Sequence, residues 1–126
     1  MGYRSQVVLA ISKHLTPFLT LACSQEPEAQ SLVFKHADTF DRDYHGDKSW
    51  LLVWDDIKWY ESYPDIDMIE KFISEAVCDE YKFEVDGKKQ NSSEHIRFVR
   101  VGEEPGDIDV MGDGFWDIYP NTHINY

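Results

Sequence analysis

The chain has 126 residues, 42% apolar and 14% aromatic, with a formal net charge of −12. That is enough for one domain around one core, residues 1–126, and too apolar for a disordered chain. The charge has the wrong sign for direct binding to a nucleic-acid backbone.

In YRSQVVLAIS, Val7, Leu9 and Ile11 alternate with polar positions such as Gln6, which predicts a half-buried strand. The VVLAI and LTLACS runs superficially resemble an export leader. Ser12, Lys13 and His14 cut the first short, and Pro17 interrupts the approach to the second. No stretch reaches membrane-spanning length. Thr16-Pro17 supplies an N-cap and a pre-set first helical residue, followed by the stripe Phe18, Leu21 and Ala22. Glu26-Pro27 ends that helix, a second runs from about Glu28 to His36, and the polar stretch 37–49 reads as loop.

Residues 50–60 are apolar on both faces and read as a central strand, with Leu51, Val53, Ile57 and Trp59 on one side and Trp50, Leu52, Trp54 and Tyr60 on the other. Pro64 opens a helix whose Ile66, Ile69, Phe72, Ile73 and Ala76 form one stripe, with Asp65 and Asp67 favoured in its first turn by the helix dipole. Tyr81, Phe83 and Val85 alternate as a strand into an Asp86-Gly87 turn. A further strand covers 95–101, residues 102–114 read as an acidic, glycine-rich loop, and Phe115, Trp116, Ile118 and Tyr119 suggest a last edge strand. This order predicts an α+β fold: an antiparallel or mixed sheet of four to five strands with two or three helices on one face.

Few residues point to chemistry. Cys23 and Cys78 lack zinc-ligand spacing and read as reduced, partly buried thiols of a reducing compartment. Asp55 and Asp56 are adjacent, and on a regular strand they would project to opposite faces, which argues against an acid/base dyad. Asp41, Asp43 and His45 imitate a calcium loop, as do Asp107 and Asp109. The twelfth positions are Leu52 and Ile118 instead of glutamate. His14, His36, His45, His95 and His123 fall in five separate segments. No catalytic residue, metal or cofactor is expected.

The charge, by contrast, is concentrated. Residues 55–70 hold six acids against Lys58, and 103–117 hold six acids and no base, so these segments carry −11 of the −12. If they converge, Asp55, Asp56, Glu61, Asp65, Asp67, Glu103, Glu104, Asp107, Asp109 and Asp113 would present an anionic surface that competes with nucleic acid for a partner's basic groove.

MGYRSQVVLAI, WDDIKWYESYPDIDMIEKFI and IRFVRVGEEPGDIDVMGDGFWD together resemble a family of small acidic phage and prophage proteins of unknown function. Tyr3, Arg4, Ser5, Ile57, Lys58, Trp59, Tyr60, Arg100, Gly102 and Glu103 carry the likeness over about half the chain, and Glu104-Pro105-Gly106 departs from it. The resemblance implies a phage setting and the host cytoplasm, with no activity attached. The leading expectation is therefore a non-enzymatic inhibitor of a host nucleic-acid-handling or defence system, of CRISPR or restriction type. Its partner would be a host protein with a basic groove. The alternatives are a metal-dependent hydrolase or nuclease using Asp55, Asp56 and Glu61, and a phage structural or assembly protein.

Overall fold

The structure, a computed structural model, describes residues 2–120 and 124–126; His123 lies outside them. In chain order the elements are β1 (Ser5–Ile11), α1 (Thr16–Ser24), α2 (Pro27–Phe34), β2 (Thr39–Tyr44), β3 (Ser49–Ile57), α3 (Pro64–Val77), β4 (Lys82–Val85), β5 (Lys88–Asn91), β6 (Ile96–Gly102), β7 (Ile108–Met111), β8 (Tyr119–Pro120) and β9 (Ile124–Asn125). Five strands form one antiparallel sheet in the order β2-β3-β1-β6-β7. The fold is α+β, and all three helices pack into the hydrophobic cluster on one face of that sheet.

β1 is the central strand, buried on both faces instead of one. Val7, Leu9 and Ile11 face the helices, Val8 and Ala10 face a second cluster, and all five are fully buried. Gln6, the polar half of the expected alternation, sits at the strand's start, so nothing polar interrupts VVLAI. β3 lies beside β1 rather than at the centre.

Two strands occupy stretches that read as loop. β2 lies within 37–49 and β7 within 102–114, and both are sheet edges. An edge strand can be recruited with little apolar content: β2 gives Phe40 to the helix-side cluster and Tyr44 to the other. The closing segment does not extend the main sheet. Among the described residues of this segment only Tyr119–Pro120 pairs, with Ile124–Asn125, and Ile118 and Ile124 plug the second face. β4 and β5 make a separate hairpin in which Asp86 (φ 52°) and Gly87 (φ 77°) are both left-handed, the geometry of a two-residue type I′ turn.

The stripe of α3 is buried as its spacing predicts. Beneath it the register of β3 holds a break. Val7 opposes Trp54 and Ser5 opposes Ile57, so Asp55 and Asp56 together stand opposite the single residue Gln6. This is a β-bulge. Beyond it the parity of the strand reverses: Ile57 packs against the helix-side cluster, as Trp54 does, although the two are three positions apart. Trp59 then joins the same side, its ring 5.5 Å from that of Trp54 and 5.9 Å from that of Phe98. The expected grouping of Ile57 and Trp59 with Leu51 and Val53 is corrected by this one extra residue.

Candidate acidic binding site

The bulge also overturns the expectation that Asp55 and Asp56 diverge. Both lie between two residues that face the helices, and both line one cleft of about 430 Å³ with Arg4, Gln6, Gly102 and Glu103. Gln6 holds the arrangement from beneath: its Nε2 donates to Asp55 Oδ1 (3.3 Å) and its Oε1 accepts the Ile124 N–H (2.9 Å). Because β1 runs between β3 and β6, Ser5 opposes Ile57 on one side and Gly102 on the other. The first strand thus joins the ends of the two acidic segments.

A network of N-terminal groups fixes that junction. The Tyr3 N–H donates to the Tyr60 hydroxyl (2.6 Å), and the Tyr3 hydroxyl donates to Asp107 Oδ2 (2.6 Å) while accepting the Glu104 N–H (2.9 Å). The Arg4 N–H donates to Glu103 Oε1 (3.1 Å), and its guanidinium to the Asp56 carbonyl (3.3 Å). Arg100 donates to Asp107 through Nη2 (2.6 Å), to Asp109 through Nε (2.8 Å) and to Ser5 Oγ (3.0 Å). Arg100 first, then Tyr3, hold the Asp107 carboxyl below the ordinary carboxylate range. Gly102 leaves room for this network, since a methyl group in its place would force the Asp107 carboxylate and the Tyr3 hydroxyl to shift. Residues scattered through the sequence pattern, among them Tyr3, Arg4, Ser5, Tyr60, Arg100, Gly102 and Glu103, are therefore mutual neighbours.

A second cleft, about 450 Å³, lies on the helix side between α3 and the β6–β7 pair, lined by Glu61, Asp67, Glu70, Lys71, Phe98, Asp109 and Met111 among others. Glu70 is half-buried and accepts the Trp59 indole N–H (2.6 Å). Burial pushes its carboxyl above the ordinary value, the indole bond pulls it back, and Glu61 and Asp109 push it up again.

The ten acids do not form one continuous patch. Asp55, Asp56 and Glu103 share the first cleft, and Glu61, Asp67 and Asp109 share the second. Glu104 stands exposed beside Tyr3, and Asp107 is tied to Arg100 rather than free. Asp65 lies elsewhere, in a depression with Glu28 and His36, where it accepts the Ile66 N–H (2.9 Å). Asp113 is at the far end of β6, its N–H bonded to the Ser93 carbonyl (2.8 Å). The two acidic segments thus converge only in part: six of the ten acids are shared between two clefts, and β7 carries the second segment away along β6.

The hydrolase alternative needed Asp55, Asp56 and Glu61 around one ion. Glu61 belongs to the other cleft, and among the described residues no three His, Cys, Asp or Glu side chains group as metal ligands. A site that sequence reasoning passed over links Ser12, His95 and Gln90: His95 Nδ1 is 2.8 Å from Ser12 Oγ and Nε2 is 3.1 Å from Gln90 Oε1. With Phe83 packed against both His14 and His95, whose rings also meet, these contacts seat the β4–β5 hairpin. Among the described residues Cys23 and Cys78 are free; Cys23 is buried, and Cys78 is exposed rather than partly buried. No helix among the described residues is long and apolar enough to cross a membrane. No family model matches the chain, nor does any curated protein or solved structure.

Proposed function

We propose that the protein is a non-enzymatic, phage-derived binding protein that inhibits a host nucleic-acid-handling or defence system by presenting carboxylates where the partner expects phosphates. The observation that carries this reading is the bulge, which turns Asp55 and Asp56 into a common cleft with Glu103. Asp55, Asp56 and Glu103 line that cleft with Arg4 as its one basic residue. A basic groove built to neutralise phosphates would be drawn to such a cluster and would gain by displacing counterions from it. The phage origin rests on the sequence resemblance, and the step to a defence target on analogy with what small acidic phage proteins have to gain inside a host.

Capture from a host lysate followed by mass spectrometry names the partner. The mechanism is then tested with Asp55→Asn, Asp56→Asn and Glu103→Gln combined. These side chains are exposed, so the variant should keep its fold while losing about tenfold or more in affinity, with a flatter salt dependence. Duplex nucleic acid should compete with the wild type. Undiminished binding and inhibition by the triple variant at low and physiological salt would sink the mimicry.

A further inference from the structure

The two edges of the main sheet are built differently. β2 is guarded: Asp41, Arg42 and Asp43 lie along it, and its register against β3 shifts between Asp41 and Tyr44, so the strand bends. β7 has no lysine, proline or bulge, and its Ile108 and Val110 are 40% and 42% exposed. Among the described residues its only neighbour in the sheet is β6, and β8 lies near it outside the sheet.

The ladder shows which backbone groups are offered. The Gly102 N–H donates to the Asp107 carbonyl (2.8 Å), and the register continues as Arg100 with Asp109 and Phe98 with Met111. In an antiparallel pair bonded and non-bonded positions alternate, so Asp109 and Met111 bond to β6 while the Val110 N–H and C=O point outward. The Ile108 N–H is taken by the Gly106 carbonyl (3.0 Å), leaving its C=O on the same open side.

The side chains flanking this edge have opposite character on the two faces. Ile108 and Val110 stand opposite Val101 and Val99, and so continue the apolar row of the second face. Asp109 and Met111 border the helix-side cleft with Glu61, Asp67 and Glu70. Lys71 and Arg100 offset these four acids in part, and Arg100 is already engaged with Asp107.

We infer that β7 is a docking edge for an extended partner segment in which apolar and basic side chains alternate. Its backbone would pair with Val110 and Ile108, its apolar side chains would cover those two residues, and its lysines or arginines would reach Asp109, Glu70, Asp67 and Glu61. Charge complementarity selects this occupant over a second copy of the chain, because β7 carries no base and each copy brings a net charge of −12. The inference does not depend on nucleic-acid mimicry, since the edge would take such a strand from any partner.

The probe is a capped octapeptide of alternating valine and lysine, with alternating valine and glutamate as control. The lysine peptide should bind, the glutamate peptide should not, and at saturation exchange of the Val110 amide should slow by about tenfold or more. Val110→Pro removes the outward N–H without touching the bonds to β6, and Val110→Lys sets a charge against the probe's valines while keeping the strand. Each should weaken binding by about tenfold. Binding without protection of Val110, equal binding of both peptides, or full binding by Val110→Lys would overturn the inference. So would concentration-dependent protection of Val110 in the protein alone, which would assign the edge to a second copy. The Asp55, Asp56 and Glu103 variant should bind the lysine peptide as wild type does, so failure here and failure of the mimicry reading are read separately.

Discussion

The two faces of the sheet are filled unequally. Among the described residues nineteen buried side chains make the helix-side cluster, including Trp54, Trp59, Phe72 and Phe98, whereas seven make the other, all aliphatic, and of those seven Ile118 and Ile124 lie outside the main sheet. Stability is concentrated where aromatic area is buried under helices. The thinner face leaves the sheet's end open, and there the bulge displays Asp55 and Asp56. A single inserted residue thus separates core from charged surface within one strand.

The strongest way to break this comparison is to truncate one anchor on each face. Trp59→Ala should cost about 3–5 kcal/mol in urea unfolding, through the lost ring contacts and the orphaned Glu70 bond, and Ile118→Ala about 2 kcal/mol, because its thin cover can collapse. Equal losses would erase the asymmetry. Next comes Arg100→Gln, which strands Asp107 and Asp109 beside each other and should cost on the order of 1.5–3 kcal/mol, discounted toward the lower figure for the partial exposure of Asp109. A loss confined to salt-free buffer would show that the network is only a surface pairing.

Smaller still is the pH dependence of Glu70. Its folded-state carboxyl sits above the ordinary value, so in the window just above that value the folded form holds a proton that the unfolded chain releases. This group's contribution is present below its unfolded-state value and is lost as pH rises through the raised one. Asp107, held low, acts in reverse: its contribution fades as pH falls through its lowered value. Glu70→Gln should remove the first slope and leave the second, as measured by unfolding midpoints against pH. The least effect on stability comes from thiol labelling of the folded protein. Burial pushes the Cys23 thiol up to about 11, so at neutral pH an alkylating reagent should modify Cys78 alone until the chain is unfolded.

Much of the helix-side face was legible in the sequence, because the stripe Ile66, Ile69, Phe72, Ile73 and Ala76 repeats at the helical period and Asp86-Gly87 marks its hairpin. The edge strands were not, since IDVM and TFDRDY each look like loop when an edge asks for only one or two apolar contacts. The acids of the site were named from charge alone. What organises them was invisible: nothing in Asp-Asp announces a bulge, and period-two reasoning fails wherever one residue is inserted. The roles of Tyr3 and Arg100 arise from contacts across about a hundred positions, which no local pattern encodes.

The central place of β1 also sets an order of events during synthesis. β1 emerges ahead of both strands that flank it, β3 and β6, the second ending at Gly102. Until β6 has left the ribosome, VVLAI has at most one partner and an open edge, and the contacts that complete it close loops of roughly ninety residues, an entropic delay that slows folding. The nascent chain therefore passes through a sticky stage that ends only once β6 is available, and a product truncated ahead of Ile96 should aggregate rather than fold.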